Sequence, residues 1–227
     1  MNLILSVFVL VIFICMIIEY SKKLKCNERF LEFIHIPKTA GTTIENVANE
    51  NNVKWGRFKP EHNAHKNNKR CVYWHTPPKH FGNDSFFKKD STFCVFRNPY
   101  DRLVSEFKYR NRDETQHTKE NLNKWILEHL EPKYYADGEL ECHFIPQHEF
   151  IYDDNGNITC DNILNFDNLT DEFNNLATEH EIPFQLSDSR KDNKTPDSLS
   201  VDDLTYETKV KIRNIYDKDF NLLYKKL

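Results

Sequence analysis

The run Leu31-Glu32-Phe33-Ile34-His35-Ile36 leads directly into Pro37-Lys38-Thr39-Ala40-Gly41-Thr42-Thr43, and a helix-forming stretch over 44–51 follows. Alternation and β-branched residues make the first piece a strand. A strand, a tight loop and a helix in that order place the helix's first N–H groups and the positive end of its dipole beside the loop, which is a cradle for a phosphate. Gly41 lets the backbone approach closely, Thr42 and Thr43 add hydroxyl donors, and Lys38 adds a mobile cation. The loop is not of the G-x-x-x-x-G-K-[ST] type, because its lysine precedes the glycine and no acidic magnesium ligand stands nearby. Taken alone, it is also compatible with an ordinary βα turn carrying a surface lysine.

A second segment narrows the reading. Thr92-Phe93-Cys94-Val95-Phe96 is a continuous apolar run, as expected of a strand buried on both faces. Asn98 fits a helix N-cap and Pro99 a first helical position, with the helix running to Arg110. Arg97 then stands at the carboxyl end of a buried strand, the edge where α/β sheets take ligands. Ser105 lies about two helical turns on, so a guanidinium and a hydroxyl can hold one phosphate between them. Arg102 is expected to pair structurally with an acid.

Between these segments, 71–74 reads as a short strand halted by Pro77 and Pro78. Further on, 122–130, 173–179 and 206–223 read as helices, 150–160 as a hairpin and 163–166 as a strand. Strands interleaved with helices imply an α/β fold with a mostly parallel central sheet flanked by helices.

At 227 residues the chain has room for one such domain. The net charge of −4 conceals an asymmetry: 53–89 carries nine basic residues against two acids, and 134–227 carries nine against twenty. The basic stretch suits an anionic ligand, although solvated faces would look the same. Residues 1–20 are apolar enough for a transmembrane signal-anchor at the short end of the roughly 20 residues a span needs, with 21–30 as a short stem and 31–227 as the catalytic body. Lys22, Lys23 and Lys25 follow the anchor, and the positive-inside rule would hold that side in the cytoplasm. Sequons at Asn83, Asn157, Asn168 and Asn193 point to a lumenal body instead. Cys142 and Cys160 flank the expected hairpin and are candidates for a disulfide, and without a CxxC pair a zinc site is not expected.

The paired pattern His35-Ile36-Pro37-Lys38-Thr39-Ala40-Gly41-Thr42-Thr43 and Phe96-Arg97-Asn98-Pro99-Tyr100-Asp101-Arg102-Leu103-Val104-Ser105 resembles the two cofactor motifs of sulfotransferases that use 3′-phosphoadenosine 5′-phosphosulfate (PAPS). It is most similar to the membrane-bound carbohydrate group that includes the heparan sulfate 2-O- and 6-O-sulfotransferases, and Phe144-Ile145-Pro146-Gln147 and the ending 215–220 add to the likeness. The resemblance implies a P-loop-like sulfotransferase fold and sulfuryl transfer from PAPS to a glycan hydroxyl, with adenosine 3′,5′-bisphosphate as product and no metal. Lys38 would sit near the transferring group, Thr39, Ala40, Gly41, Thr42 and Thr43 would hold the 5′-phosphate, and Arg97 and Ser105 the 3′-phosphate. The 190–200 segment resembles the family's late loop that closes over the cofactor, which makes Lys194 and Thr195 candidate contacts. His75 occupies the place of a catalytic histidine and is the expected general base, with Glu45 as the main rival and His80, His62 and His65 behind it. His35 is expected to pack beside the cofactor, and Gln147 is a candidate for facing the acceptor. The implied setting is the Golgi membrane, single-pass type II with a lumenal body, an acceptor that can be anionic, and no nucleic-acid partner. Two other readings are a P-loop-like small-molecule kinase and a non-catalytic PAPS- or glycan-binding protein of the same fold.

Overall fold

A computed structural model describes residues 31–59, 71–81, 91–190, 192 and 198–226. The chain divides into Met1–Leu31 and a body, Glu32–Leu227. The expected anchor and stem lie outside the described residues, and among those described no helix is long and apolar enough to cross a membrane.

The body is built on three parallel strands, β1 (Glu32–Ile34), β2 (Thr92–Phe96) and β3 (Asn162–Asn165), in the order β1-β2-β3. Phe33 pairs with Phe93, and Cys94 with Ile163. Because all three run the same way, their carboxyl ends, at Ile34, Phe96 and Asn165, share one edge. The central strand is buried throughout, as its unbroken apolar run requires. Its alternating side chains supply two faces. Ile34, Cys94 and Phe96 pack with Ile145, Phe150 and Ile151, whereas Phe33 and Phe93 meet Trp55, with Phe173 and Phe184 beyond it.

Helix α1 (Gly41–Glu50) follows β1, and α2 (Pro99–Arg110) follows β2. Asn98 caps α2, its side-chain oxygen accepting from the Tyr100 N–H at 2.9 Å, and Pro99 occupies the first turn. After α3 (Lys119–His129), short turns α4 (Pro132–Tyr135) and α5 (His148–Ile151) lead to β3. Helix α6 (Leu169–Glu179) and the terminal pair α7 (Tyr206–Ile215) and α8 (Asp217–Lys226) complete the body. Leu103 and Phe107 of α2 share a second core with Leu122, Ile126, Phe144, Ile212, Tyr216 and Phe220.

Four local expectations change. Residues 71–74 are not a strand: Tyr73–His75 is a 3₁₀ turn, closed by the His75 N–H and the Thr76 hydroxyl, both donating to the Val72 carbonyl. The expected hairpin reduces to a bridge between Tyr152 and Ile158, because Phe150 and Ile151 belong to α5. Asp153 organises the turn between them by accepting from the backbone of Asn155 and Asn157. The single helix expected over 206–223 breaks at Tyr216, whose hydroxyl donates to the Phe144 carbonyl at 2.7 Å. The Cys142–Cys160 pairing is also incorrect. Cys142 is bonded to Cys71, and Cys160 lies buried as a thiol 2.9 Å from the Cys94 sulfur on β2.

Candidate active site

The carboxyl edge of the sheet carries the loop after β1, Arg97 after β2 and Phe166 after β3. Lys38 and Ala40 both adopt the left-handed region, each with φ of 69°. Such backbone costs roughly 1 kcal/mol per non-glycine residue and tends to persist where a site needs it. Alternating handedness turns successive N–H groups toward one concavity, a nest for an anion, and α1 begins immediately beyond it.

The hydroxyl of Thr39 donates to the Ile36 carbonyl at 2.7 Å and is fully buried, so it fastens the loop and does not line the cavity. Gly41 is required for a different reason than a left-handed backbone: a Cβ there would sit 2.0 Å from Nε2 of His35. The Thr43 hydroxyl accepts from the Asp192 N–H at 3.1 Å, and Arg190 pairs with Glu50, so the late loop begins pinned against α1.

Arg102 does not pair with an acid. Fully buried on α2, its guanidinium donates to the carbonyls of Pro37 (2.9 Å), Ile145 (2.9 Å) and His143 (2.8 Å). It therefore ties the phosphate-type loop to the 143–145 segment. Gln147 likewise turns inward. Its amide exchanges two hydrogen bonds with the Arg97 backbone, at 3.0 and 2.7 Å, and is fully buried, so it positions Arg97 and does not face an acceptor.

A cavity of about 920 Å³ opens over this edge, with Lys38, Gly41, His75, Arg97, Ser105 and Phe166 among its lining. Ala40, Thr42 and Thr43 line it as well. Arg97 donates to the Lys38 carbonyl at 3.1 Å, and its guanidinium stacks 4.1 Å from the Phe166 ring centroid. Its Nε is buried without a hydrogen-bond partner, while the side chain as a whole is half-buried and lines the cavity. Lys38 rests its ammonium 3.9 Å above the Tyr109 ring, and burial lowers its pKa to about 8, Glu106 opposing that and the nearby arginines adding to it. It remains mostly a cation at neutral pH.

Three imidazoles stand in a row. His75 meets His35 edge-on at 4.6 Å between centroids and His143 at 4.8 Å. Each outer ring is backed by a buried carboxylate: His35 Nδ1 lies 2.7 Å from Glu45, and His143 Nδ1 2.8 Å from Glu106. Burial, then the two neighbouring rings, push the His75 pKa well below its ordinary value, so it is neutral at pH 7. Its Nδ1 has no hydrogen-bond partner. Glu45 is already engaged by His35 and by Arg57. His80 is not in the cavity lining, and His62 and His65 fall outside the described residues.

Lys194, Thr195, Asn83 and Asn193 also fall outside the described residues. Asn157 is exposed on its turn, and Asn168 is exposed at the cavity rim. Sequence reasoning missed Glu106 and His143, whose pairing joins α2 to a segment 37 residues later. The one available signal was the acid directly after Ser105.

The description of the family model that matches this chain is "Sulfotransferase family", over residues 25–225. No curated protein and no solved structure matches.

Proposed function

The chain belongs to the sulfotransferase family, and from that premise we propose that it transfers a sulfuryl group from PAPS to a glycan hydroxyl, with Lys38 and His75 as its catalytic residues. One observation carries the reading: the left-handed loop with Lys38, the half-buried Arg97, Ser105 and the neutral His75 all line one cavity. Those residues fit a donor with two anionic ends. The nest and the start of α1 suit the 5′-phosphosulfate, and Arg97 with Ser105 suits the 3′-phosphate. Phe166, stacked on Arg97, offers an apolar surface between the sheet edge and solvent.

In the reaction, the bond from sulfur to the phosphate oxygen breaks as the bond from sulfur to the acceptor oxygen forms. Lys38 stabilises the negative charge that grows on the leaving oxygen. His75 accepts the acceptor proton as the hydroxyl attacks, and adenosine 3′,5′-bisphosphate departs. The remaining catalysis is positioning in a cavity partly screened from water. Arg57 and Lys108 line the same cavity and Arg112 lies beside Tyr109, cations that an anionic acceptor would meet among the carboxylates of the lining. The Cys71–Cys142 bond and the exposed sequon at Asn157 support an oxidising, lumenal setting such as the Golgi, held there by the 1–20 anchor.

Full-length protein incubated with labelled PAPS and a panel of neutral, carboxylated and sulfated glycans tests this directly. Label is expected on an anionic glycan, lost in Lys38→Ala and in His75→Ala, with His75→Ala still binding adenosine 3′,5′-bisphosphate. Undiminished transfer by His75→Ala would remove it as the base, and label on no glycan would overturn the acceptor class.

A further inference from the structure

Leu140, Glu141 and Cys142 all adopt the left-handed region, with φ of 55°, 60° and 67°. Such backbone is tolerated in single residues and disfavoured in runs, because each Cβ crowds the following carbonyl. Three in succession persist where the surroundings fix them and a site gains from them. Here they are fixed. The Cys142 N–H donates to the Gly138 carbonyl at 3.1 Å, and the His143 N–H to that of Leu140 at 3.2 Å. Arg110 donates to the same Leu140 carbonyl at 3.3 Å, and Cys142 is bonded to Cys71.

What this turn places is Glu141. It lines the cavity, and its side chain is 52% exposed. Arg110 lies 3.8 Å and Nε2 of His143 3.9 Å from its carboxylate, both beyond hydrogen-bonding distance. Its lone pairs are therefore uncommitted among the described residues, while its backbone is hydrogen bonded to His75. Trp74 meets His75 from the other direction. It precedes His75 in the 3₁₀ turn, its ring centroid 5.8 Å from the imidazole, and lines the same cavity half-buried. The disulfide joins the two segments, since Cys71 lies three residues before Trp74 and Cys142 directly follows Glu141.

An aromatic surface and an open carboxylate in one cavity have the chemistry that recognises a pyranose. The C–H face of the sugar ring is apolar and suits an indole, and the hydroxyls on its rim donate to a carboxylate. We propose that Trp74 and Glu141 form the subsite for the acceptor sugar. The indole lies against one face of the ring, and the carboxylate accepts from hydroxyls next to the one that is sulfated. This rests on the acceptor being a glycan, and not on which group takes its proton. A carboxylate repels the acceptor's own anionic groups, so Glu141 serves neutral hydroxyls. The turn keeps glutamate where glycine would be less strained, because the side chain is what binds.

The test compares full-length wild type, Glu141→Gln, Glu141→Gly, Trp74→Ala and Trp74→Phe on cellohexaose and on heparosan and heparin hexasaccharides. Saturation-transfer NMR reads glycan contact, labelled PAPS reads KM for each substrate, and a urea midpoint reads stability. Glu141→Gln is expected to raise KM for the acceptor about tenfold, the loss of one charge-assisted hydrogen bond. KM for PAPS should stay within about twofold. Trp74→Ala should do the same, and Trp74→Phe, which keeps a flat ring, should recover most of the loss. Glu141→Gly separates binding from support. Glycine suits a left-handed φ, so its urea midpoint should match or exceed wild type while KM for the acceptor rises as in Glu141→Gln. An unchanged acceptor KM in Glu141→Gln overturns the subsite. So does an acceptor loss that comes only with a lowered urea midpoint and a raised KM for PAPS. If no hexasaccharide takes label, the proposed transfer fails by itself and the NMR still decides. A hexasaccharide that contacts wild type and is lost in Glu141→Gln and Trp74→Ala upholds the subsite. Contact unchanged in those variants, or contact with none of the three, overturns it.

Discussion

Gly41 shows how a single residue can tie the anion loop to the imidazole row. Its backbone is not in the left-handed region, yet a Cβ would fall 2.0 Å from Nε2 of His35, whose other nitrogen is committed to Glu45. Gly41→Ala is therefore expected to displace the His35 ring toward His75, lowering transfer by at least tenfold and stability by about 1–3 kcal/mol, the usual range for overpacking. Thermal melting and kcat check both. Lys38 yields a second prediction. Because its pKa lies near 8 in the free site, its charge is present below that pH and is lost as pH rises through it. Calorimetric affinity for adenosine 3′,5′-bisphosphate should weaken between pH 7 and 9.5, and the binding should take up protons near pH 8.5. Lys38→Ala should flatten that part of the dependence. At this scale the sequence was readable where chemistry is local: Lys38, Gly41, Arg97 and Asn98 sit within short motifs whose spacing carries their meaning. It was silent on His143 and Glu106, which pair across 37 residues, and it misplaced Gln147, whose partner lies 50 residues away.

Among the elements, the start of α5 is where the site meets the end of the chain. Asp219 on α8 is completely buried and accepts from the N–H of Gln147 (2.8 Å), the N–H of His148 (2.9 Å) and the His148 ring (2.8 Å). Gln147 in turn grips Arg97, so α8 supports the cavity through a short relay of hydrogen bonds. These bonds, with Glu149, outweigh the burial of His148 and raise its pKa to about 9, while Glu149 falls to about 2. A histidine whose pKa is raised on folding adds stability that is complete below its unfolded value near 6.5 and disappears as pH rises through 9. Glu149 adds stability above its unfolded value near 4.5, lost as pH falls toward 2. Urea midpoints at pH 5.5 and 9.5 should differ less in His148→Gln than in wild type, and an equal difference would remove His148 from the account. Long segments were legible as elements, and β2 and α2 lie close to where the unbroken apolar run and the Asn98–Pro99 cap place them, with α3 overlapping the helix expected over 122–130. The misses have a common cause. Residues 71–74 and 150–160 carry β-forming side chains, but a disulfide, Pro77 and Pro78, and the seat of α5 against α8 decide their conformation. The break at Tyr216 follows from a hydroxyl bonded to the Phe144 carbonyl, which helical periodicity does not reveal.

Over the whole body, the opposed charge of the two halves is partly consumed in folding. Lys79 of the basic stretch pairs with Glu149 and Asp154 of the acidic one, so its charge does not serve a ligand. Arg57 and Lys108 instead reach the cavity. The disulfide spans the same halves. Cys71–Cys142 closes a loop with a separation of 71 residues, and loop entropy alone gives it a worth of about 4 kcal/mol. Its location adds a functional consequence, since it joins the segment of His75 directly to that of His143, whereas the anion loop reaches that segment through Arg102 and Arg97 is held by Gln147. Cys71→Ser should therefore melt at lower temperature and lose kcat more than affinity for adenosine 3′,5′-bisphosphate, and dithiothreitol should reproduce both losses in wild type. Cys94 and Cys160 provide an internal control. Both thiols are buried, and burial with the neighbouring sulfur raises the Cys160 pKa, so neither should react with iodoacetamide until the chain unfolds. Parallel losses of affinity and kcat in Cys71→Ser would mean that the bridge stabilises the body as a whole. A selective loss of kcat would place its effect on the two histidines that it brings together.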